Sequence, residues 1–262
     1  MLWQVMNRSL ELIRRTARTV LPEGVRQRLR YAARPPAPDL MASACAHSLV
    51  TPLNLHLLHE LVQRLGRLGV EGDIVECGVY RGGSAAVLGS AMLGLDEERP
   101  RKLWLFDSFA GMPAAGEQDG EFSHTLKGTY VGSEQQTRQL LEQAGVPGGR
   151  FQIVTGFYAD TLPTVEIPRI ALLHIDCDFY EPYMLTLEKF YPVVSPGGFV
   201  VLNDYGIYKG ARAGTDEYFE RNGLDIEPVA IDPTASFFQK PGAGYSGLPV
   251  AGHYSGYSGA VA

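Results

Sequence analysis

Three short stretches hold residues whose types and spacing could do chemistry. The first is Glu76-Cys77-Gly78-Val79-Tyr80-Arg81-Gly82-Gly83-Ser84, which closes an apolar run. Glycines at a strand-to-helix turn let the backbone approach a ligand closely. Their spacing is G-x-x-x-G-G rather than the dinucleotide G-x-G-x-x-G, and no GK[ST] follows, which excludes a nucleotide P-loop. Glu76 stands just before the turn, where it suits a ligand with a cationic end and would repel a pyrophosphate. The second stretch ends at Asp107, 24 residues past Gly83, the distance of one helix and one strand. A carboxylate there is placed to accept both hydroxyls of a ribose. The third is a pair, Asp176-Cys177-Asp178 and Asn203-Asp204-Tyr205, each at the end of an apolar run.

Gly78, Gly82, Gly83 and Asp107 together indicate an adenosine ligand, and Glu76 tilts the choice toward S-adenosylmethionine. The cofactor set is Glu76, Gly78, Tyr80, Arg81, Gly82, Gly83 and Ser84 from the first turn, Asp107 and Ser108 from the second, and Gly156 from a later one. Tyr80 and Arg81 are read as shaping the loop rather than performing chemistry. The plainer reading of the glycines is a tight turn. At the third stretch, adjacent parallel strands deliver three or four oxygen ligands to one rim. Oxygen-only ligands suit Mg²⁺ or another hard divalent ion. Helix capping by carboxylates explains one of these acids well, but not acids clustered at two strand ends. A metal eases deprotonation of a hydroxyl, and methyl transfer from a sulfonium then needs mainly alignment.

The elements that must position these residues are β–α units. Short apolar runs alternate with helical stretches from residue 73 onward: DIVECGV then SAAVLGSAML, KLWLFDSF then EQQTRQLLEQAG, RFQIVTG then a short turn, IALLHIDCD then YMLTLEKFYPVV, GGFVVLNDY then DEYFERNG. Two further runs, DIEPVAI and SFFQK, read as strands without a long helix between them. This predicts an α/β fold: a doubly wound, mostly parallel seven-stranded sheet, one strand antiparallel, with helices on both faces. Residues 53–68 read as an amphipathic helix before the first strand.

The chain divides into a basic extension over 1–40, a catalytic domain over 41–240 and a flexible glycine-rich tail over 241–262. Leu2, Met6, Leu10, Ile13, Ala17 and Leu21 fall on one helical face, Val25–Tyr31 forms a second short helix, and Pro35, Pro36 and Pro38 form a linker. Residues 1–40 carry eight arginines against three acids, a surplus of +5, so the remainder holds −11 of the net −6. An acidic body argues against nucleic-acid binding. The basic helix has three readings: contact of residues 1–34 with an anionic membrane or a partner, a solvated helix packed on the domain, or a targeting segment. Three scattered cysteines argue against a zinc or disulfide framework and fit a cytoplasmic setting, including the inner membrane surface. No apolar run is long enough to span a membrane.

The motifs ECGVYRGGSA, FDSFAGMP, GFYADTLP, HIDCDFYEP and SPGGFVVLNDY resemble the macrocin, mycinamicin and novobiocin sugar O-methyltransferases, which have the Rossmann-like class I methyltransferase fold. The resemblance runs from about residue 48 to 240. It implies an S-adenosylmethionine- and Mg²⁺-dependent enzyme acting on a sugar hydroxyl of a small molecule or glycan. It also implies metal ligands at Asp176, Asn203 and Asp204, with Asp176 doubling as a base. In the family the fifth-strand pair is usually Asp-Asp; Asn203 departs from it and removes one negative charge. A histidine from the region 114–133 approaches the acceptor in relatives, which makes His124 a candidate base; the alternative is an ordinary loop histidine. His174 is read as packed beneath the site. His47 falls in the lid segment, and His56 and His59 are read as helix-surface residues. Acceptor specificity is expected from segments 40–60 and 112–132.

Two competing functions stand beside metal-dependent O-methylation. Asn203 invites a cofactor-binding scaffold that has lost turnover. The basic N-terminal helix invites a membrane-surface enzyme modifying a polysaccharide or lipid-linked sugar. Exposed helices ahead of the domain also suit a homodimer.

Overall fold

A computed structural model describes residues 35–93, 95 and 100–242. The expected amphipathic N-terminal helices, their membrane contact and the glycine-rich tail lie outside these residues. Seven strands form one sheet: β1 (Asp73–Cys77), β2 (Leu103–Asp107), β3 (Phe151–Thr155), β4 (Ile170–Ile175), β5 (Val194–Leu202), β6 (Val229–Ala230) and β7 (Ser236–Gln239). Their order is β3-β2-β1-β4-β5-β7-β6. The first five pair in parallel, and β7 is antiparallel to both of its neighbours. The order reverses between β1 and β4, so the C-terminal ends of those strands open a crevice where ligands bind in such sheets.

Strand alternation separates two cores. Ile74, Leu172 and Val201 belong to one, with α1 (Pro38–Ala46), α2 (Pro52–Leu68) and α3 (Gly83–Met92). Val75, Leu173 and Val200 belong to the other, with α6 (Tyr180–Phe190) and α7 (Lys209–Arg221). Two further helices, α4 (Glu134–Gln143) and the single turn α5 (Tyr158–Thr161), complete the layers. The doubly wound sheet expected from the β–α alternation is therefore present, with β6 shorter than its seven-residue apolar run suggested.

α2 forms where the sequence supplies both ends of a helix. Thr51 caps it by accepting the Asn54 N–H, Pro52 occupies the first turn, and Gly69 ends it at φ +66°. Its apolar positions are buried, but so are Asn54, His59 and Gln63. His59 therefore corrects the helix-surface reading: α2 is covered on more than one side, and burial lowers the His59 pKa to about 4. Pro38 is a second correction. It does not extend a linker but opens α1, where its missing N–H costs nothing.

Candidate functional site

The first turn is built by a close approach of two strands. Gly78 sits at φ +96°, and a Cβ there would lie 1.7 Å from the Asp176 carbonyl oxygen. Only glycine lets β1 and β4 close at this point, with the Asp176 N–H donating to Cys77 O at 2.8 Å. Across the turn, Asp107 Oδ2 accepts the N–H groups of Val79 at 2.7 Å and Tyr80 at 2.8 Å, and Oδ1 accepts that of Phe109 at 2.7 Å. A carboxylate binding three amides holds the β1–α3 and β2 loops as one unit. Tyr80 and Phe109 both have positive φ, +52° and +51°. Such backbone persists in bulky residues only where its surroundings enforce it.

The remaining loop residues act from behind. A Cβ on Gly83 would strike Ala44 O at 2.3 Å, and one on Gly82 would meet Thr137 at 2.8 Å. These two glycines admit the close approach of α1 and α4. The Arg81 guanidinium stacks over the Tyr80 ring at 4.9 Å. Glu76 is fully buried on β1 beside His174, its register partner on β4, with Oε1 3.0 Å from His174 Nδ1. Burial alone would lower the His174 pKa, but the hydrogen bond and charge of Glu76 outweigh it and raise it. Among the described residues, Glu76 Oε2 and His174 Nε2 have no hydrogen-bond partner.

A cavity of about 420 Å³ opens over the C-terminal strand ends, a volume within the range of small-molecule sites. Gly78, Tyr80, Ser84, Asp107, Ser108 and Gly156 line it on one side, and Asp176, Asp178, Asn203 and Asp204 on the other. Both expected specificity segments reach its wall, through Ser48, Leu49 and Thr51 and through Met112, Pro113 and Tyr130. Glu76, Arg81, Gly82, Gly83 and His124 are not on the wall. His124 lies exposed in a short 3₁₀ turn, Glu121–Thr125. Contributors that sequence reasoning did not single out include Tyr158, Ile207, Tyr208 and Thr234. Asp178 was visible in its motif, but its φ of +61° and its place on the wall were not.

The acids on the wall crowd one another. Burial first, and then neighbouring negative charge, raises Asp178 to about 8 and pushes Asp204 well up; burial raises Asp176 to about 6. No Lys or Arg lines the cavity among the described residues. Asn203 Nδ2 donates to Asp176 Oδ1 at 2.6 Å, and Asp204 Oδ2 accepts the Asp178 N–H at 3.2 Å. Among the described residues no three His, Cys, Asp or Glu side chains form a metal-holding group. A cation here would need Asp176 and Asp204 plus the amide oxygen of Asn203, which in this structure faces away from them. The set fits a hard divalent ion in donor chemistry, with the amide turned over.

The mouth is apolar. Leu49 (61% exposed), Ile207 (59%), Phe157 (46%) and Tyr130 (42%) all belong to the cavity lining. Exposed apolar side chains gathered round a cleft mark a binding surface rather than scattered surface residues.

The comparisons with known proteins agree with this geometry. The family model described as Macrocin-O-methyltransferase (TylF) matches residues 5–240. The chain is 34% identical to the 8-demethyl-8-(2,3-dimethoxy-alpha-L-rhamnosyl)-tetracenomycin-C 4'-O-methyltransferase of Streptomyces olivaceus, covering 79% of this chain and 80% of that one. It is 32% identical to the demethyldecarbamoylnovobiocin O-methyltransferase of Streptomyces niveus, over 75% of this chain and 77% of the relative. Among solved structures, the O-methyltransferase NovP superposes with a TM-score of 0.69 at 30% identity, covering 75% of this chain and 83% of its own. The chain thus belongs to the macrocin O-methyltransferase family and is an O-methyltransferase.

Proposed function

We propose that this enzyme binds S-adenosylmethionine against the Asp107-clamped turn and methylates a hydroxyl of a sugar-bearing small molecule or glycan, with Mg²⁺ held by Asp176, Asn203 and Asp204. The observation that carries this reading is the single cavity joining Gly78 and Asp107 to the acids of β4 and β5. Relatives named for rhamnosyl-tetracenomycin, novobiocin and mycinamicin acceptors support the sugar.

The chain's own residues divide the work. Gly78, Tyr80, Ser84, Asp107, Ser108 and Gly156 shape the cofactor side of the wall. When bound, a divalent cation supplies positive charge that eases loss of the acceptor proton. A cation among these acids would favour ionised Asp178, and among the described residues no hydrogen bond reaches its side chain, so that carboxylate can then receive the proton. Its place on the wall favours Asp178 as base over His124, which is off the wall and would have to move inward. The apolar rim seats the scaffold carrying the sugar and keeps water from the reacting atoms. The remaining task is alignment of the acceptor oxygen with the transferred methyl.

The test uses purified full-length protein, methyl-labelled S-adenosylmethionine, Mg²⁺ and a panel of glycosides with apolar aglycones. Methyl ether formation on a sugar hydroxyl, read by mass spectrometry, is expected for at least one member. Cofactor binding without transfer to any member would instead favour the scaffold reading that Asn203 invites.

A further inference from the structure

Asn54 lies in the first turn of α2, outside the acidic cluster, yet it is fully buried and touches that cluster through one residue. Its Nδ2 donates to Asn203 Oδ1 at 2.6 Å. Asn203 in turn points its Nδ2 at Asp176 Oδ1, 2.6 Å away, and at Asp204 Oδ1, 3.4 Å away. Among the described residues, Asn54 Oδ1 has no partner. We propose that Asn54 is a positioning residue that sets which end of the Asn203 amide faces Asp176, and that the two amides turn over together when a divalent cation enters. This rests on the cation reading above.

An amide NH₂ is donor-only and cannot ligate a cation, whereas the amide oxygen can. Asn203 therefore stabilises bare carboxylates with its nitrogen inward and serves a cation with its oxygen inward. The inward oxygen sends the NH₂ outward into a buried place, where it needs an acceptor. The Asn54 Oδ1 that is now unpaired is that acceptor. A residue with one donor and one acceptor on the same carbon is what both arrangements require, and Asn is such a residue. Thr51 fixes where Asn54 stands: its hydroxyl donates to Asp232 at 2.5 Å and its oxygen accepts the Asn54 N–H at 3.2 Å.

The experiment titrates Mn²⁺ into cofactor-free full-length protein, following the free-ion electron paramagnetic resonance signal, with Mg²⁺ as competitor. Asn54→Asp offers only acceptors to the outward end of Asn203. It is expected to tighten Mn²⁺ binding by about fivefold, one hydrogen bond's worth. Asn54→Leu serves neither end and should shift the affinity by less than about twofold. In an Asn203→Asp background there is no amide to turn over, so Asn54→Asp should no longer tighten binding. Equal tightening in both backgrounds would mean added charge alone and overturn the inference. Side-chain amide ¹⁵N spectra of the unmodified protein give a check that needs no variant. Mg²⁺ should move the Asn54 and Asn203 NH₂ pairs together; saturation that leaves the Asn54 pair in place overturns it. If neither the unmodified protein nor Asn203→Asp takes Mn²⁺, the cation reading fails and this inference falls with it. Binding that ignores residue 54 defeats the inference alone.

Discussion

Asp107 Oδ2 accepts the Tyr80 N–H at 2.8 Å, so the carboxylate at the end of β2 holds the turn that leaves β1. With Val79 and Phe109 it ties three amides, two of them belonging to residues at positive φ. Removing the carboxylate releases strained backbone and, on the proposed function, a cofactor contact. Asp107→Ala is expected to lose at least about 2 kcal/mol of stability and to weaken S-adenosylhomocysteine binding at least tenfold. Urea denaturation and calorimetric titration check both; a fully stable variant with weak binding would limit Asp107 to ligand contact.

The buried pair Glu76–His174 predicts a different outcome. Neither side chain is exposed, and breaking a buried pair strands the partner. Glu76→Ala should cost about 3 kcal/mol, and Glu76→Leu with His174→Leu should recover much of it. Cofactor affinity should change little in any variant that folds, because Glu76 is off the cavity wall. Collapse of affinity at full stability would return Glu76 to the ligand-binding role its place in the sequence suggested.

That contrast shows what the sequence makes legible. Gly78 and Asp107 sit at strand ends, where topology alone carries residues to the ligand rim, and both are there. Glu76 is one residue before the end of β1, and strand alternation turns it toward the α2–α3 face with Ile74. Its partner is 98 residues away, so only the register of β1 against β4 reveals the pairing. The parity was readable, since His174 precedes Asp176 by two as Glu76 precedes Gly78 by two. The same limit hides Asn54: an Asn in an apolar helix reads as a surface position until α2 is seen covered. The spacing of Gly83 suggests a ligand contact, and its missing side chain also makes room for Ala44 O of α1, a helix that periodicity does not announce.

The crowded acids predict a pH effect. Asp178 is raised to about 8 and Asp176 to about 6 from an unfolded value near 3.8. The native state therefore holds protons that the unfolded chain has released, and stability falls as pH rises through that interval. His59, lowered to about 4 from 6.5, opposes this only below about pH 6.5. Between pH 6.5 and 8 the metal-free protein should lose up to about 1.4 kcal/mol per pH unit for each retained proton. Asp178→Asn tolerates the same left-handed backbone and should flatten the slope, as should saturating Mg²⁺. Thermal melts across that window, with EDTA or Mg²⁺, measure it; an unchanged slope in Asp178→Asn would assign the effect elsewhere.

The apolar mouth predicts a split in kinetic constants. Leu49 and Ile207 stand more than half exposed on the rim, where an acceptor's scaffold would cover them. Leu49→Ser or Ile207→Ser should raise KM for a glycoside with a large apolar aglycone by about fivefold, roughly 1 kcal/mol of lost apolar burial. The kcat should stay within about twofold, and a free sugar acceptor should show no change. Loss of kcat with unchanged KM would place these side chains nearer the reacting atoms.

On the proposed function, one cavity brings a methyl donor and a cation-assisted acceptor hydroxyl together at Asp176. The most direct measurement compares methyl transfer to a glycoside by the unmodified protein and Asp176→Ala, each with Mg²⁺ and with EDTA, alongside calorimetric S-adenosylhomocysteine binding. Transfer should fall at least about a hundredfold with EDTA and in Asp176→Ala, more than 2.7 kcal/mol of lost transition-state stabilisation at about 1.36 kcal/mol per tenfold, while cofactor affinity stays within about threefold. Transfer that persists undiminished in EDTA and in Asp176→Ala would overturn the proposed function.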